Sequence, residues 1–87
     1  MSKIIKESGY RKLSHIVKCD DIYYLVDSND TFDRGYETMA FLYDIKKDEV
    51  ISWLESYVKW YKTEEEMEKY HFEICENLER YLKEYNE

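Results

Sequence analysis

Apolar residues recur at helical spacing through the last quarter of the chain. From residue 64 to 85 they return every three or four positions, which places them on one stripe of a helix. Thr63 and Glu66 have the spacing of a capping box, and Glu64 and Glu65 add negative charge that favours a helix N-terminus. The stripe comprises Met67, His71, Ile74, Leu78, Tyr81, Leu82 and Tyr85. The sequence predicts one helix over about residues 64–85, with this stripe facing the rest of the fold.

Upstream, the pattern changes to short β-branched and aromatic runs. RKLSHIVK and IYYLVD are separated by Cys19, Asp20 and Asp21, which favours a hairpin. GYETMAFLYD alternates, with Tyr36, Thr38, Ala40 and Leu42 on one side and Glu37, Met39, Phe41 and Tyr43 on the other. The N-terminal KIIK is a candidate edge strand.

Residues 50–61 fit both kinds of structure. Val50, Leu54, Tyr57, Val58 and Tyr61 have helical spacing, but most apolar residues of the segment are β-formers and a short polar loop precedes them. We favour a strand, and a helix remains the alternative. The predicted fold class is α+β: an antiparallel sheet of three to five strands over about residues 3–62, packed by one C-terminal helix, with residues 1–87 as a single domain.

Composition limits the core and the kind of partner. A chain of 87 residues buries slightly more than about 60% of its unfolded surface, so the core must be thin. The 13 basic and 20 acidic residues give a net charge of −7, which disfavours direct nucleic-acid binding and favours a basic protein partner. No run of apolar residues approaches the length of about 18 that a membrane-spanning helix needs. The apolar stretch within MSKIIKESGY is too short to be the hydrophobic region of a signal peptide. Two distant cysteines then indicate a cytoplasmic setting.

The segment DTFDRGYETMAF, together with residues further along, resembles small uncharacterised proteins of phages and prophages of Gram-positive bacteria. Their pattern runs roughly D-T-x-D-x-G-[YW]-E-T-M-V-F, then W-x-x-L, an aromatic, T-E-E-E-A and a histidine. The matching positions are Asp30, Thr31, Asp33, Gly35, Glu37, Thr38, Met39, Phe41, Trp53, Tyr61 and His71. The pattern departs at Ala40, Met67 and Tyr70. The resemblance covers about residues 27–80 and implies a phage and host-cell setting without implying a reaction.

The acidic loop before Gly35 is a candidate for calcium chemistry. Asp27, Asn29, Thr31 and Asp33 alternate as in the first half of an EF-hand loop. However, Phe32 stands where that loop needs glycine, and Thr38 stands where it needs glutamate. The sequence instead predicts a strand corner, in which acidic side chains bond nearby amides and Gly35 supplies a positive φ angle. We expect Glu37 and Thr38 at its exposed rim.

Two H-x-x-x-C patterns, His15 with Cys19 and His71 with Cys75, suggest a zinc site. On a helix His71 and Cys75 lie one turn apart, but residues 15 and 19 of a strand are about 13 Å apart, too far to bind one ion. The sequence therefore predicts no metal and no cofactor. We expect a buried, singly hydrogen-bonded His71 and a core Cys75 instead.

Catalytic chemistry has one candidate pair, His71 with Glu68 or Glu37. The chain has no glycine-rich phosphate loop and no nucleophile motif. We therefore predict no catalytic residues and no enzyme activity.

The outer face of the helix carries the predicted partner-binding site. At about 100° per residue, Phe72 points away from the stripe, and its neighbours at i±4 and i±7 are Glu65, Glu68, Glu76 and Glu79. A single exposed aromatic is common, whereas an aromatic anchor among carboxylates suits a basic groove on a protein. With Glu37, these residues predict a small acidic phage- or prophage-encoded interaction protein that binds a basic host protein. Inhibition of a host nucleic-acid-binding or defence protein is one form of that role.

Two alternatives stay open. The chain could be a structural module that forms a homodimer by burying Trp53, Trp60 and Tyr57. It could also bind a small ligand, or act as an enzyme, through the Asp30–Thr38 corner and His71, which would require a pocket there.

Overall fold

The computed structural model describes residues 1–87 as an antiparallel sheet followed by two helices. The strands are β1 (Ser2–Glu7), β2 (Leu13–Cys19), β3 (Ile22–Asp30), β4 (Tyr36–Asp44), β5 (Glu49–Val50) and β6 (Tyr57–Tyr61), and the helices are α1 (Glu64–Glu76) and α2 (Leu78–Tyr85). Strands β1 to β4 are neighbours in chain order, and both β5 and β6 pair with the other edge of β4. The predicted α+β class is confirmed, with six strands instead of three to five.

Strand alternation gives the sheet two apolar faces. On the helix face, Val17, Val26 and Ala40 pack with Ile74 and Leu78 of the helices. On the far face, a smaller cluster forms around Ile16, Leu25 and Phe41, with Met39, Tyr43 and Val50 packed against it. The predicted sides of β4 are confirmed, because Ala40 and Leu42 belong to the first cluster and Met39, Phe41 and Tyr43 to the second.

Residues 50–61 form an interrupted edge of the sheet. Ile51 N donates to Leu42 O at 2.9 Å, and Ser56 N donates to Ala40 O at 2.7 Å, so the ladder to β4 is interrupted over residues 52–55. The strand interpretation is correct for residues 57–61, and the helix alternative is wrong. Trp53 folds back onto Phe41 with ring centroids 5.1 Å apart.

The aromatic residues suggested for a homodimer do not share one face. Tyr57 is buried on the helix face against Tyr81 and Tyr85. Trp60 lies on the far face, where its Nε1 donates to Glu37 at 3.0 Å. A dimer seam built on all three of Trp53, Trp60 and Tyr57 is therefore incompatible with this fold, because Tyr57 belongs to the core of its own chain.

The predicted single helix is divided at Asn77, which has φ −132° and ψ 33°. Its side chain donates to Glu73 O at 3.0 Å, beside its own backbone N–H, which donates to the same oxygen at 3.1 Å. Leu78 N donates to Ser2 Oγ at 2.8 Å, so β1 caps the start of α2. Neither helix has the length or apolar character needed to cross a membrane.

The corner between β3 and β4 confirms the role predicted for Gly35. Its φ is +88°, and its carbonyl accepts from Thr31 N at 2.8 Å and from Thr31 Oγ1 at 2.6 Å. Asp30 Oδ1 accepts from Phe32 N at 2.9 Å, as expected for an acidic turn residue. The predicted exposed rim is wrong: Thr38 is completely buried on the helix face, and Glu37 is half-buried on the far face. Strand alternation separates these two neighbours.

The N-cap of α1 gives a first testable prediction. Thr63 has extended backbone angles, and its Oγ1 accepts from Glu66 N at 3.2 Å. We expect Thr63→Ala to lower the free energy of unfolding by about 1 kcal/mol, because one backbone donor of the first turn loses its partner. Urea denaturation measures this change. Lys62→Ala, at the exposed neighbouring position, is the control; equal midpoints for the two variants would contradict the capping role.

Candidate functional site

Two histidines meet in the layer between the sheet and α1. His15 Nδ1 of β2 lies 2.8 Å from His71 Nε2 of α1. The other ring nitrogen of His71, Nδ1, lies 2.7 Å from Ser28 Oγ, which in turn lies 2.6 Å from Thr38 Oγ1. Sheet register explains the contact, because Ser28 and Thr38 are directly opposite each other on the helix face. All four side chains are buried.

These four side chains form a continuous hydrogen-bond chain with two consistent directions. In one, His15 donates to His71, which donates to Ser28, which donates to Thr38. In the other, each proton is reversed, and His71 donates to His15 from Nε2. In either direction both His71 nitrogens are paired, so the prediction of a single hydrogen bond to His71 is wrong. The second bond satisfies a polar group that would be costly to bury alone.

Burial sets the protonation of this cluster. Burial, with a smaller effect from His15, lowers the pKa of His71 to about 4, so the ring is neutral at physiological pH. Cys75 Sγ lies 3.7 Å from His71 Nε2, and burial raises the pKa of its thiol to about 12. Because the thiol keeps its proton and the imidazole is a weak base, these two groups are not an activated nucleophile and base at neutral pH.

The structure separates His71 from the acidic partners suggested for catalysis. Glu37 lies on the far face of the sheet, beside Trp60. Glu68 is exposed to solvent on α1. His71 instead contacts Ser28 and His15, a pairing that sequence spacing did not reveal because the three residues belong to different elements.

Only part of the suspected zinc set comes together. Cys19 lies at the opposite end of β2 from His15, paired with Ser2 and Ile22. In contrast, ligand atoms of His15, His71 and Cys75 all lie within 4.8 Å of one another. The spacing of residues 15 and 19 along a strand argued against a site made of all four residues, whereas the packing of α1 on the sheet brings His15 to His71 without Cys19.

A cleft opens beside this cluster, between α1 and the ends of β2, β3 and β4. Its volume is about 450 Å³, within the range of small-ligand and side-chain pockets. Leu13, Tyr36, Met67 and Phe72 supply its apolar surface, and Ser28 connects it to the hydrogen-bond chain. We call it the Phe72 cleft.

Charged residues of both signs surround the Phe72 cleft. Asp30, Glu64 and Glu68 supply negative charge, and Arg11 and Lys12 supply positive charge. Arg11 Nε also lies 3.4 Å from Oδ2 of the buried Asp27. The cleft therefore has an apolar interior and a rim that can pair with charged groups.

Phe72 is more deeply embedded than the outer helix face suggested. Its side chain is 43% exposed, and its ring centroid lies 5.4 Å from that of His15 and 5.1 Å from that of His71. The ring thus contacts the histidine pair while also lining the Phe72 cleft. Helical spacing alone does not indicate this position for Phe72, because the second wall of the Phe72 cleft comes from the turn before β2.

The carboxylates predicted around Phe72 are divided among different surfaces. Glu65, Glu68 and Glu76 are exposed on α1. Glu79 lies on α2, beyond the break at Asn77, with one buried carboxylate oxygen that has no hydrogen-bond partner. Glu37 is on the far face. Of the predicted set, Phe72 and Glu68 line the cleft together.

Compared with known proteins, the chain matches no family model, no curated protein and no solved structure.

Proposed function

We propose that the chain is a small acidic interaction protein that binds a host protein through the Phe72 cleft. The cleft carries this proposal because it joins an apolar interior of about 450 Å³ to Phe72, an exposed aromatic residue of α1. An apolar side chain of the partner would enter beside Phe72 and Met67. Buried aromatic anchors in such pockets contribute much of the affinity of many interfaces.

Charge supports a basic partner. Glu64, Glu65 and Glu66 form the first turn of α1, directly beside the cleft, and the chain carries a net charge of −7. Basic residues of the partner would face these carboxylates and Asp30 on the rim. Complementary charge of this kind accelerates association and excludes acidic competitors.

The resemblance to phage proteins supports a role in the cytoplasm of an infected host. An acidic surface that occupies a basic groove would compete with nucleic acid for that groove. We propose inhibition of a host nucleic-acid-binding or defence protein as the form this binding takes. The proposal requires no catalytic step by the chain.

Phe72→Ala tests the proposal. We expect it to weaken binding to a partner captured from host lysate by about 2 kcal/mol, roughly 30-fold in Kd, because the anchor is removed. The free energy of unfolding should fall by only about 1 kcal/mol, because part of the Phe72 ring is already exposed to solvent in the folded chain. Calorimetric titration of the purified partner and urea denaturation measure the two effects separately.

Phe32→Ala is the matched control, since Phe32 is 99% exposed in the corner loop and does not line the cleft. It should leave binding unchanged. Equal loss of affinity in both variants, or none in Phe72→Ala, would reject the cleft as the docking site.

A second candidate is a small-ligand site in the same cleft. One observation favours it: the cleft reaches Ser28 and Asp30, next to the Asp30–Thr38 corner, where a small-ligand site would need a pocket. Native mass spectrometry of protein purified from the host distinguishes the two. A retained small molecule that is lost in Phe72→Ala would support the ligand site over the protein partner.

A further inference from the structure

We propose that His15, His71 and Cys75 form a zinc-binding site that links β2 to α1. Each residue offers one ligand atom, and these three atoms lie within 4.8 Å of one another. The atoms that face one another are His15 Nδ1, His71 Nε2 and Cys75 Sγ. Nitrogen and thiolate sulfur are the ligands that zinc prefers. This inference is independent of the partner-binding proposal.

Two of the three ligand–ligand distances are close to those of a tetrahedral zinc site. With Zn–N near 2.0–2.1 Å and Zn–S near 2.3 Å, two nitrogen ligands lie about 3.3 Å apart, and a nitrogen and a sulfur lie about 3.5 Å apart. His15 Nδ1 and His71 Nε2 are 2.8 Å apart, and His71 Nε2 and Cys75 Sγ are 3.7 Å apart. The two histidine nitrogens need to separate by about 0.5 Å, and the remaining pair, His15 and Cys75, has ligand atoms within 4.8 Å that must approach to about 3.5 Å as the ion binds.

Helix geometry already aligns two of the ligands. His71 and Cys75 are one turn apart on the buried stripe of α1, so both point toward the sheet. His15 reaches them from the helix face of β2. The ion would thus join elements that are far apart in sequence, which is how metals stabilise small domains with thin cores.

The hydrogen bonds around the site provide the support that zinc ligands commonly have. Ser28 Oγ lies 2.7 Å from His71 Nδ1, and Thr38 Oγ1 lies 2.6 Å from Ser28 Oγ. When His71 Nδ1 donates to Ser28, its Nε2 lone pair is directed to the ion. Phe72 packs on both histidine rings and shields the site on that side.

Zinc binding releases one proton from the protein. Each histidine remains neutral, with its proton on the nitrogen that does not bind the ion, and Cys75 releases its thiol proton to solvent as the Zn–S bond forms. Three protein ligands leave a fourth position for water or for a donor atom from a bound molecule.

Cobalt substitution is the most direct test. We expect the wild-type chain, purified without metal, to bind one Co²⁺ and to show tetrahedral d–d bands with a thiolate-to-cobalt charge-transfer band. Zn²⁺ should displace the cobalt at one equivalent. Cys19→Ala is the matched control, because it removes the other buried thiol and leaves the cluster intact; its spectrum should be unchanged.

Three variants test two of the ligands and the residue that orients His71. Cys75→Ala should abolish the charge-transfer band, and both Cys75→Ala and His15→Gln should weaken Zn²⁺ binding by at least about 100-fold in competition with a chromophoric chelator. Ser28→Ala should weaken it by about 10-fold to 100-fold through loss of ligand orientation. Circular dichroism checks that each variant is folded.

Two results would overturn the proposal. One is a wild-type chain that shows no saturable binding at one equivalent or no thiolate band. The other is loss of the band in Cys19→Ala. Both are measured on proteins with the cluster intact, so the proposal stays testable even if Cys75→Ala does not fold.

Discussion

Gly35→Val is expected to lower the free energy of unfolding by about 3–4 kcal/mol, combining backbone strain with a steric clash. Gly35 has φ +88°, a conformation that a β-branched residue adopts only with strain. A Cβ atom at this position would also lie 2.8 Å from the carbonyl oxygen of Tyr61. That oxygen belongs to the backbone at the end of β6 and cannot rotate away. Urea denaturation measures the loss.

Gly9 supplies the control. Its φ is +76°, but a Cβ atom there would have nothing within 4 Å. Gly9→Val should therefore show the strain alone, about 1–2 kcal/mol. Equal losses at the two positions would mean that the close approach of Tyr61 contributes nothing. A change smaller than 1 kcal/mol at Gly35 would contradict the corner geometry itself.

Acidification of the metal-free protein is expected to remove about 3 kcal/mol of stability between pH 7 and pH 4 through His71. Burial lowers the pKa of His71 from 6.5 to about 4 in the folded chain. The unfolded state therefore binds the proton more readily between these values, so stability falls as pH falls. The contribution is complete above about pH 6.5 and is lost at about pH 4. Each pH unit corresponds to about 1.36 kcal/mol.

Denaturation at stepped pH in the presence of a chelator, for the wild type and His71→Gln, isolates this effect. Glutamine keeps a hydrogen-bonding side chain but has no titration in this range. Groups that do not contact His71, such as Asp27, whose pKa is raised by burial, act in both proteins and cancel in the comparison. Parallel pH profiles for the two proteins would show that His71 is not held neutral by the fold.

Several elements of the fold follow from local chemistry that the sequence displays. Thr63 and Glu66 predict the start of α1, because an N-cap depends on residues three positions apart. The alternation of residues 36–43 predicts both faces of β4, because side chains on a strand alternate. Gly35 predicts the corner, because a positive φ angle favours glycine.

Tertiary structure alone decided the site. His15 was paired in sequence with Cys19, yet it meets His71, since the register of β2 and the position of α1 over the sheet determine which side chains face each other. Phe72 lines a cleft whose opposite wall is the turn before β2. A helical wheel shows only residues of the helix itself, so it cannot include that turn. Local patterns extend over a few residues and specify elements and their faces. The cluster and the Phe72 cleft depend on contacts between residues tens of positions apart, and only packing determines those contacts.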